Sequence, residues 1–324
     1  MSFAEPDDGE SHTGLSLVLA FLMLASLGVL TNTSQFGGEF AGIGALFVLP
    51  FCFGALVTLS AKSFSPLGCL VAPVVLGVIS AALVALGAEG LVCVVMVMPF
   101  WFVAGIGGGL AAIYLAKKRQ REGSDETRIR SVGLALLPFV LVATEAWFPP
   151  QWETRNVTRS VVVDAEPGAI WPLLTSIRNI EADEGKANFT QDWLGIPRPT
   201  DARLVERGGE AVRKARWGED IRFEEIITEA RPGHSMAWRF SFPDASLQNH
   251  TDRHISPDGE VLKIDSGRYD IARLADGRAR ITLTTTYRMR TRLGWYFGWW
   301  GERLLGDVQA NVLAIVKDRS ETRG

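Results

Sequence analysis

The chain has 324 residues, 47% of them hydrophobic, and a formal net charge of −3; that length is enough for about two domains. The averages hide a division: between Gly14 and Ala116 the only charged residues are Glu39, Lys62 and Glu89, whereas residues 151–324 hold 26 Lys+Arg against 26 Asp+Glu. That even balance argues against electrostatic binding of nucleic acid. Cys52, Cys69 and Cys93 all lie in the first half, which excludes a disulfide, a thiol nucleophile or a cysteine metal ligand from the second.

The first thirteen residues are acidic (Asp7, Asp8, Glu10), unlike the basic start of a cleavable signal peptide. The first apolar segment is therefore expected to remain as an anchor. A bilayer-spanning helix needs about 20 apolar residues, and five segments are predicted to span: residues 14–31, 40–60, 67–87, 90–116 and 131–148. Gly105, Gly107, Gly108 and Gly109 give the fourth a small-residue surface suited to close helix packing in lipid. Glu39, Glu89 and Glu145 fall at span ends, where water reaches them, so a relay role is disfavoured.

Lys117, Lys118, Arg119, Arg121, Arg128 and Arg130 cluster in the loop between the fourth and fifth spans. Positive loops stay in the cytoplasm. Counting outward from that loop predicts a cytoplasmic N-terminus, and it puts residues 151–324 on the outer face, in a bacterial inner or plasma membrane. Trp147 and Trp152 flank Pro149 and Pro150; tryptophan favours the headgroup layer and proline stops the helix. This marks the boundary between a transmembrane domain, residues 1–150, and a soluble domain, residues 151–324.

In the second half, Val157 to Asp164 reads as a strand. A helix opens at Ala165-Glu166-Pro167 with Asp164 as N-cap, and Ile170, Trp171, Leu174 and Ile177 follow at helical spacing. After a polar stretch and a Pro-rich loop to Thr200, strands are predicted at 203–207, 212–217, 221–229, 235–242, 260–265, 267–274 and 279–290. Gly208-Gly209, Asp258-Gly259 and Asp276-Gly277 are turn signals between them. Ile281, Leu283, Thr285, Tyr287 and Met289 share one face. A long amphipathic helix, residues 293–320, ends the chain, with Phe297, Trp300, Leu304, Val308, Val312 and Ile315 on its apolar stripe and Glu302, Arg303 and Asp307 on its polar side.

Three segments carry a family resemblance. One is the strand-to-helix run Val161 to Trp171, with its Ala165-Glu166-Pro167 and Ile170-Trp171. The second is Phe223 to Gly233 followed by Ala237-Trp238-Arg239, and the third is the strand–helix end from Leu283 to Lys317. Over residues 155–322 the chain resembles the START-like helix-grip (SRPBCC) superfamily of polyketide cyclase/dehydrase and lipid-transport-like proteins. The resemblance implies an α+β domain whose curved antiparallel sheet wraps a long C-terminal helix around an apolar cavity. Trp217, Phe223, Trp238, Phe240, Tyr269, Tyr287, Phe297 and Trp300 are the expected lining. Fold alone does not fix function.

Other constellations are weaker. His250 and His254 are four apart in a polar segment, 244–258, that reads as a loop, and no third ligand accompanies them, so no metal or cofactor is expected. His234 sits in a turn. Arg213, Arg216, Arg222, Arg239, Arg268, Arg288, Arg290 and Arg292 read as an outer sheet face paired with Glu224, Glu225 and Asp270. No motif marks a catalytic residue. The expected function is a membrane-anchored binding module for a lipid or other hydrophobic small molecule. A cyclase- or aromatase-like enzyme and an envelope-assembly protein without a cavity are the alternatives.

Overall fold

The structure is a computed structural model, which describes residues 14–23, 42–60, 66–120, 127–251 and 255–322. It divides into two compact units, Met1–Pro150 and Gln151–Gly324.

The first unit is helical: α1 (Gly14–Met23), α2 (Gly44–Leu59), α3 (Leu67–Ala85), α4 (Leu91–Gln120) and α5 (Thr127–Ala146). Five spans are expected from the sequence, but only α3 and the Leu91–Lys118 part of α4 are long and apolar enough to cross a membrane among the described residues. The first expected span runs past Met23 into residues outside the described set. The apolar part of α5 is Ser131–Glu145, about 22 Å at 1.5 Å per residue, which is short of the ~30 Å hydrocarbon core. Glu145 has a local role: its carboxylate accepts from the backbone N–H groups of Ile43 (2.9 Å) and Gly44 (3.2 Å), the orphan donors at the start of α2. The glycines of α4 are packing positions. A Cβ at Gly108 would overlap the Phe51 carbonyl, and one at Gly54 would overlap Gly105, so α2 and α4 touch backbone to backbone.

The second unit holds seven strands: β1 (Glu153–Val163), β2 (Pro199–Arg207), β3 (Glu210–Trp217), β4 (Ile221–Arg231), β5 (Ser235–Ser241), β6 (Leu262–Arg273) and β7 (Ala279–Met289). They form one antiparallel sheet in the order β1-β7-β6-β5-β4-β3-β2. Short turns join β2 to β3, β3 to β4, β4 to β5 and β6 to β7, while a longer connection joins β5 to β6. The β2–β3 turn needs left-handed backbone at two successive positions, which Gly208 (φ 61°) and Gly209 (φ 86°) supply. Two strands expected at 260–265 and 267–274 are a single strand, β6, whose pairing with β7 shifts register between Ile264 and Ser266. An extra residue there reads in sequence as a break.

Helix α6 (Pro167–Thr175) follows β1. Its N-cap is Glu166, without a side-chain cap, and Asp164 instead donates its backbone N–H to Glu321. Pro167 at the first helical position sets that start. The segment expected to be a loop holds a short helix, α7 (Ser246–Thr251). Helix α8 (Gly294–Thr322) packs chiefly on β1, and also meets residues 189–193, β7 and, at its C-terminal part, α6. A seven-stranded antiparallel sheet gripping one long C-terminal helix is the helix-grip arrangement. Ile170, Leu174, Met236, Ile281, Leu313 and Ile315 form the centre of its largest core cluster.

Candidate functional site

The register assigns the two sheet faces. Ile281, Leu283, Thr285, Tyr287 and Met289 of β7 are buried under α8, while the residues between them are only part-buried. Following pairs across the sheet puts Tyr269 opposite Leu283, Met236 opposite Tyr269, Trp238 opposite Gly267, Phe240 opposite Glu225, and Phe223 opposite Ala215. All six of the expected lining residues that lie on strands, Trp217, Phe223, Trp238, Phe240, Tyr269 and Tyr287, therefore share the inner face. Phe297 and Trp300 come from the first turns of α8.

Seven of these eight fall into three groups, the first two joined by Phe240, whose ring lies 6.0 Å from that of Trp238, and Trp300 stands apart. Trp217, Phe223 and Phe240 meet Phe242 and Leu247 at the β3–β5 side, with Trp217–Phe223 centroids 5.4 Å apart and Phe240–Phe242 stacked at 6.2 Å. Trp238 and Tyr269 sit 5.1 Å apart in the main core. Tyr287 packs with Val157, Met289 and Phe297 beneath α8. Trp300 faces the segment before β2, its ring 6.3 Å from Phe189. Trp238 and Trp300 are buried, yet their indole N–H groups find no acceptor among the described residues. Trp217, Phe240, Phe242 and Phe297, by contrast, are only half-buried although they point inward.

Two polar groups on this face escaped the sequence reading. Arg213 and Glu225, expected on the outer face, are 6% and 4% exposed and paired through Arg213 Nε and Glu225 Oε2. Arg213 Nη1 also donates to the carbonyl of Leu174 at the end of α6. Their phase was visible: Arg213 alternates with Ala215 and Trp217, and Glu225 with Phe223 and Ile221. The guanidinium lies 5.1 Å from the Trp238 ring centre and 5.6 Å from that of Tyr269, within cation–π range. Burial opposes its charge, but Glu225 and Tyr269 beside it hold the Arg213 pKa above the usual arginine range. Burial also pushes the Tyr269 phenol up, so it stays a neutral hydrogen-bond donor near neutral pH.

The second missed group is Gln309 on α8. It is 2% exposed, and its Nε2 donates to the Val157 carbonyl (3.0 Å) and to Thr285 Oγ1 (2.9 Å). The periodicity of α8 could not reveal it, since a polar residue on a buried stripe reads as a mismatch.

The other arginines behave as expected of an outer face. Arg268 pairs with Asp270 (2.9 Å) and Glu229 (3.0 Å), Arg288 with Asp265 (2.5 Å), and Arg207 with Glu224 (2.9 Å). The polar side of α8 is not simply solvated. Asp307 accepts from Thr190 N–H and Oγ1, and the buried Asn311 accepts from Lys186 N–H at 2.7 Å. His250 Nδ1 lies 2.9 Å from the Ser246 carbonyl, His234 Nδ1 is 3.0 Å from that of Pro232, and His254 lies outside the described residues. No group of three metal-ligating side chains occurs among the described residues.

No protein-family model and no curated protein matches the chain. Solved structures do resemble it. The Zhui aromatase/cyclase from Streptomyces sp. R1128 is 19% identical, with 53% of this chain and 96% of that one covered at a TM-score of 0.32. The di-domain aromatase/cyclase BexL of the BE-7585A biosynthetic pathway is 15% identical, covering 68% of this chain and 64% of that one at 0.33. A truncated norcoclaurine synthase from Thalictrum flavum is 14% identical, covering 52% and 95% at 0.32. At these scores they stand as similarities only, and the helix-grip description rests on the strand order and α8.

Proposed function

We propose that residues 151–324 are a binding module for an apolar small molecule, carried on a multi-pass membrane anchor. The observation that carries the reading is the half-buried state of Trp217, Phe240 and Phe242 on the inner sheet face and of Phe297 on α8. Inward-pointing aromatic rings that a packed core would bury completely remain accessible, and an apolar ligand would cover them. A few buried polar groups beside them, Tyr269 among them, supply the orientation such a site needs.

The anchor reading rests on α3 and α4. Only 28% and 22% of their apolar windows are buried within the protein, and Val78 and Val103 point outward at 65% and 74% exposure. A helix apolar all round belongs in an apolar surrounding. In the second unit, Trp295 and Trp299 stand one turn apart on α8, both exposed. Gly294 beside them lies against Glu153, at the end of the domain nearest in sequence to α5. Tryptophans there suit a headgroup layer. Quenching by brominated lipids that spares Trp295 and Trp299 would remove this support.

The test of the binding reading is native mass spectrometry of the full chain purified from cells, with solvent extraction of what it carries. An apolar molecule that co-purifies with the parent and is lost in Phe240→Arg supports it. A parent chain that carries only bulk lipid, indistinguishable from the Phe240→Arg variant, overturns it. One observation favours a second, enzymatic reading: a neutral Tyr269 phenol beside the Arg213–Glu225 pair is a group that could polarise a carbonyl. Turnover of the co-purified molecule that Tyr269→Phe abolishes, with binding retained, would select it.

A further inference from the structure

One row of the sheet runs Ile227 (β4), Trp238 (β5), Gly267 (β6), Thr285 (β7), Val157 (β1), each opposite the next. Gly267 leaves a gap in the row, and the Trp238 indole lies across it. A Cβ at Gly267 would overlap the six-membered ring and lie 2.7 Å from Nε1, which places that N–H above β6. One strand further, about 4.8 Å away, the Gln309 amide sits over Thr285 and Val157. Its orientation is fixed, because the Val157 carbonyl only accepts and must face Nε2. Gln309 Oε1 is left without a donor and Trp238 Nε1 without an acceptor among the described residues. Both side chains are 2% exposed.

Resting on the apolar-ligand reading, we propose that Trp238 and Gln309 form a hydroxyl-binding position, and that the ligand is an apolar molecule bearing a hydroxyl group. A buried donor and a buried acceptor left unmade are both costly. A hydroxyl accepts from Trp238 Nε1–H through a lone pair and donates its own proton to Gln309 Oε1. A carbonyl would answer Trp238 and repel Gln309 Oε1; a hydrocarbon would answer neither. Gly267 belongs to the site, since any side chain there would displace the indole.

The test is equilibrium dialysis of the full chain in amphipol, against amphipol blanks, with 2-naphthol and naphthalene. The expected result is 2-naphthol uptake at least about tenfold tighter than naphthalene, the scale of hydrogen bonds made in a dry site. Trp238→Phe and Gln309→Met, each checked by near-ultraviolet circular dichroism, should bring that ratio towards one by weakening 2-naphthol uptake. Gln309→Met keeps the test intact if Trp238→Phe misfolds. Equal uptake of the two probes by the parent, or a preference that survives in a folded variant, overturns the hydroxyl position and leaves a water molecule as its occupant. Uptake of neither probe overturns the apolar-ligand reading as well.

Discussion

The two ends of the inner sheet face are built on opposite plans. Over β1 and β7, α8 comes down onto the sheet through its glycines: Gly298 lies against Arg155 and Met289, Gly301 against the Tyr287 hydroxyl, and Gly306 against Arg159. Over β3 to β5, Trp217, Phe223, Phe240 and Phe242 pack ring against ring, and all but Phe223 are half-buried. Small residues let helix and strands approach until the seam is closed. Big rings fill space sideways and keep the surfaces apart. The same sheet thus supplies a fixed support and an accessible apolar wall, and the buried Arg213–Glu225 pair joins β3 to β4 within the second of these regions.

The largest expected effect comes from that pair. Arg213→Ala leaves Glu225 as an uncompensated buried charge and should cost about 3–5 kcal/mol. Replacing both partners together, Arg213→Met with Glu225→Leu, should cost much less, because no lone charge remains. Urea unfolding of the full chain, followed by near-ultraviolet circular dichroism, measures both. A single variant that loses less than about 1 kcal/mol would show the pair to be solvated, and the β3–β5 end would lack the buried polar support assigned to it.

Gly301→Ala comes next and tests the closed end. Alanine gains up to about 1 kcal/mol in helix propensity, but its Cβ overlaps the Tyr287 hydroxyl, and overpacking of this kind costs about 1–3 kcal/mol. The net expectation is a loss of about 1 kcal/mol. Gly168→Ala in α6 is the control: nothing lies within 4 Å of its Cβ position, so the same change should stabilise by about 0.5 kcal/mol. Equal signs in the two unfolding curves would mean that α8 does not depend on its glycines.

Much of this arrangement is legible in the amino-acid order, and the failures have physical causes. Period-2 alternation from Ile281 to Met289 marks the face that lies under α8, and Phe297 to Ile315 mark the helix that covers it. Pattern reading failed where a charged residue occupied an inner position. Charge alone puts Arg213 outward, although its spacing to Ala215 and Trp217 puts it inward. It failed again at β6, where a register shift looked like two strands, and at Gln309, whose partners Val157 and Thr285 lie 152 and 24 residues away. In the first unit, hydropathy alone suggests five spans, whereas length leaves two among the described residues.

An effect that fades with falling pH sharpens the account of the closed end. The segment before β2 is tied to α8 by Arg319, which donates to both Glu184 oxygens (2.5 and 2.6 Å) and to the carbonyls of Arg178 (2.7 Å) and Asn179 (2.6 Å). The hydrogen bonds from Arg319 hold the Glu184 carboxyl below its usual value of 4.5. A carboxyl whose pKa is depressed on folding stabilises the folded state above its unfolded pKa, and loses that contribution as the pH falls through the folded value. Glu184→Gln should therefore cost about 1 kcal/mol at pH 7, since both partners are largely buried, and progressively less as the pH falls below about 4.5. Unfolding free energies of parent and variant, measured from pH 7 down to pH 3, give the difference directly. If it does not change over that range, the Glu184 charge adds nothing, and the neutral bonds from Arg319 to the two carbonyls suffice to hold the segment against α8.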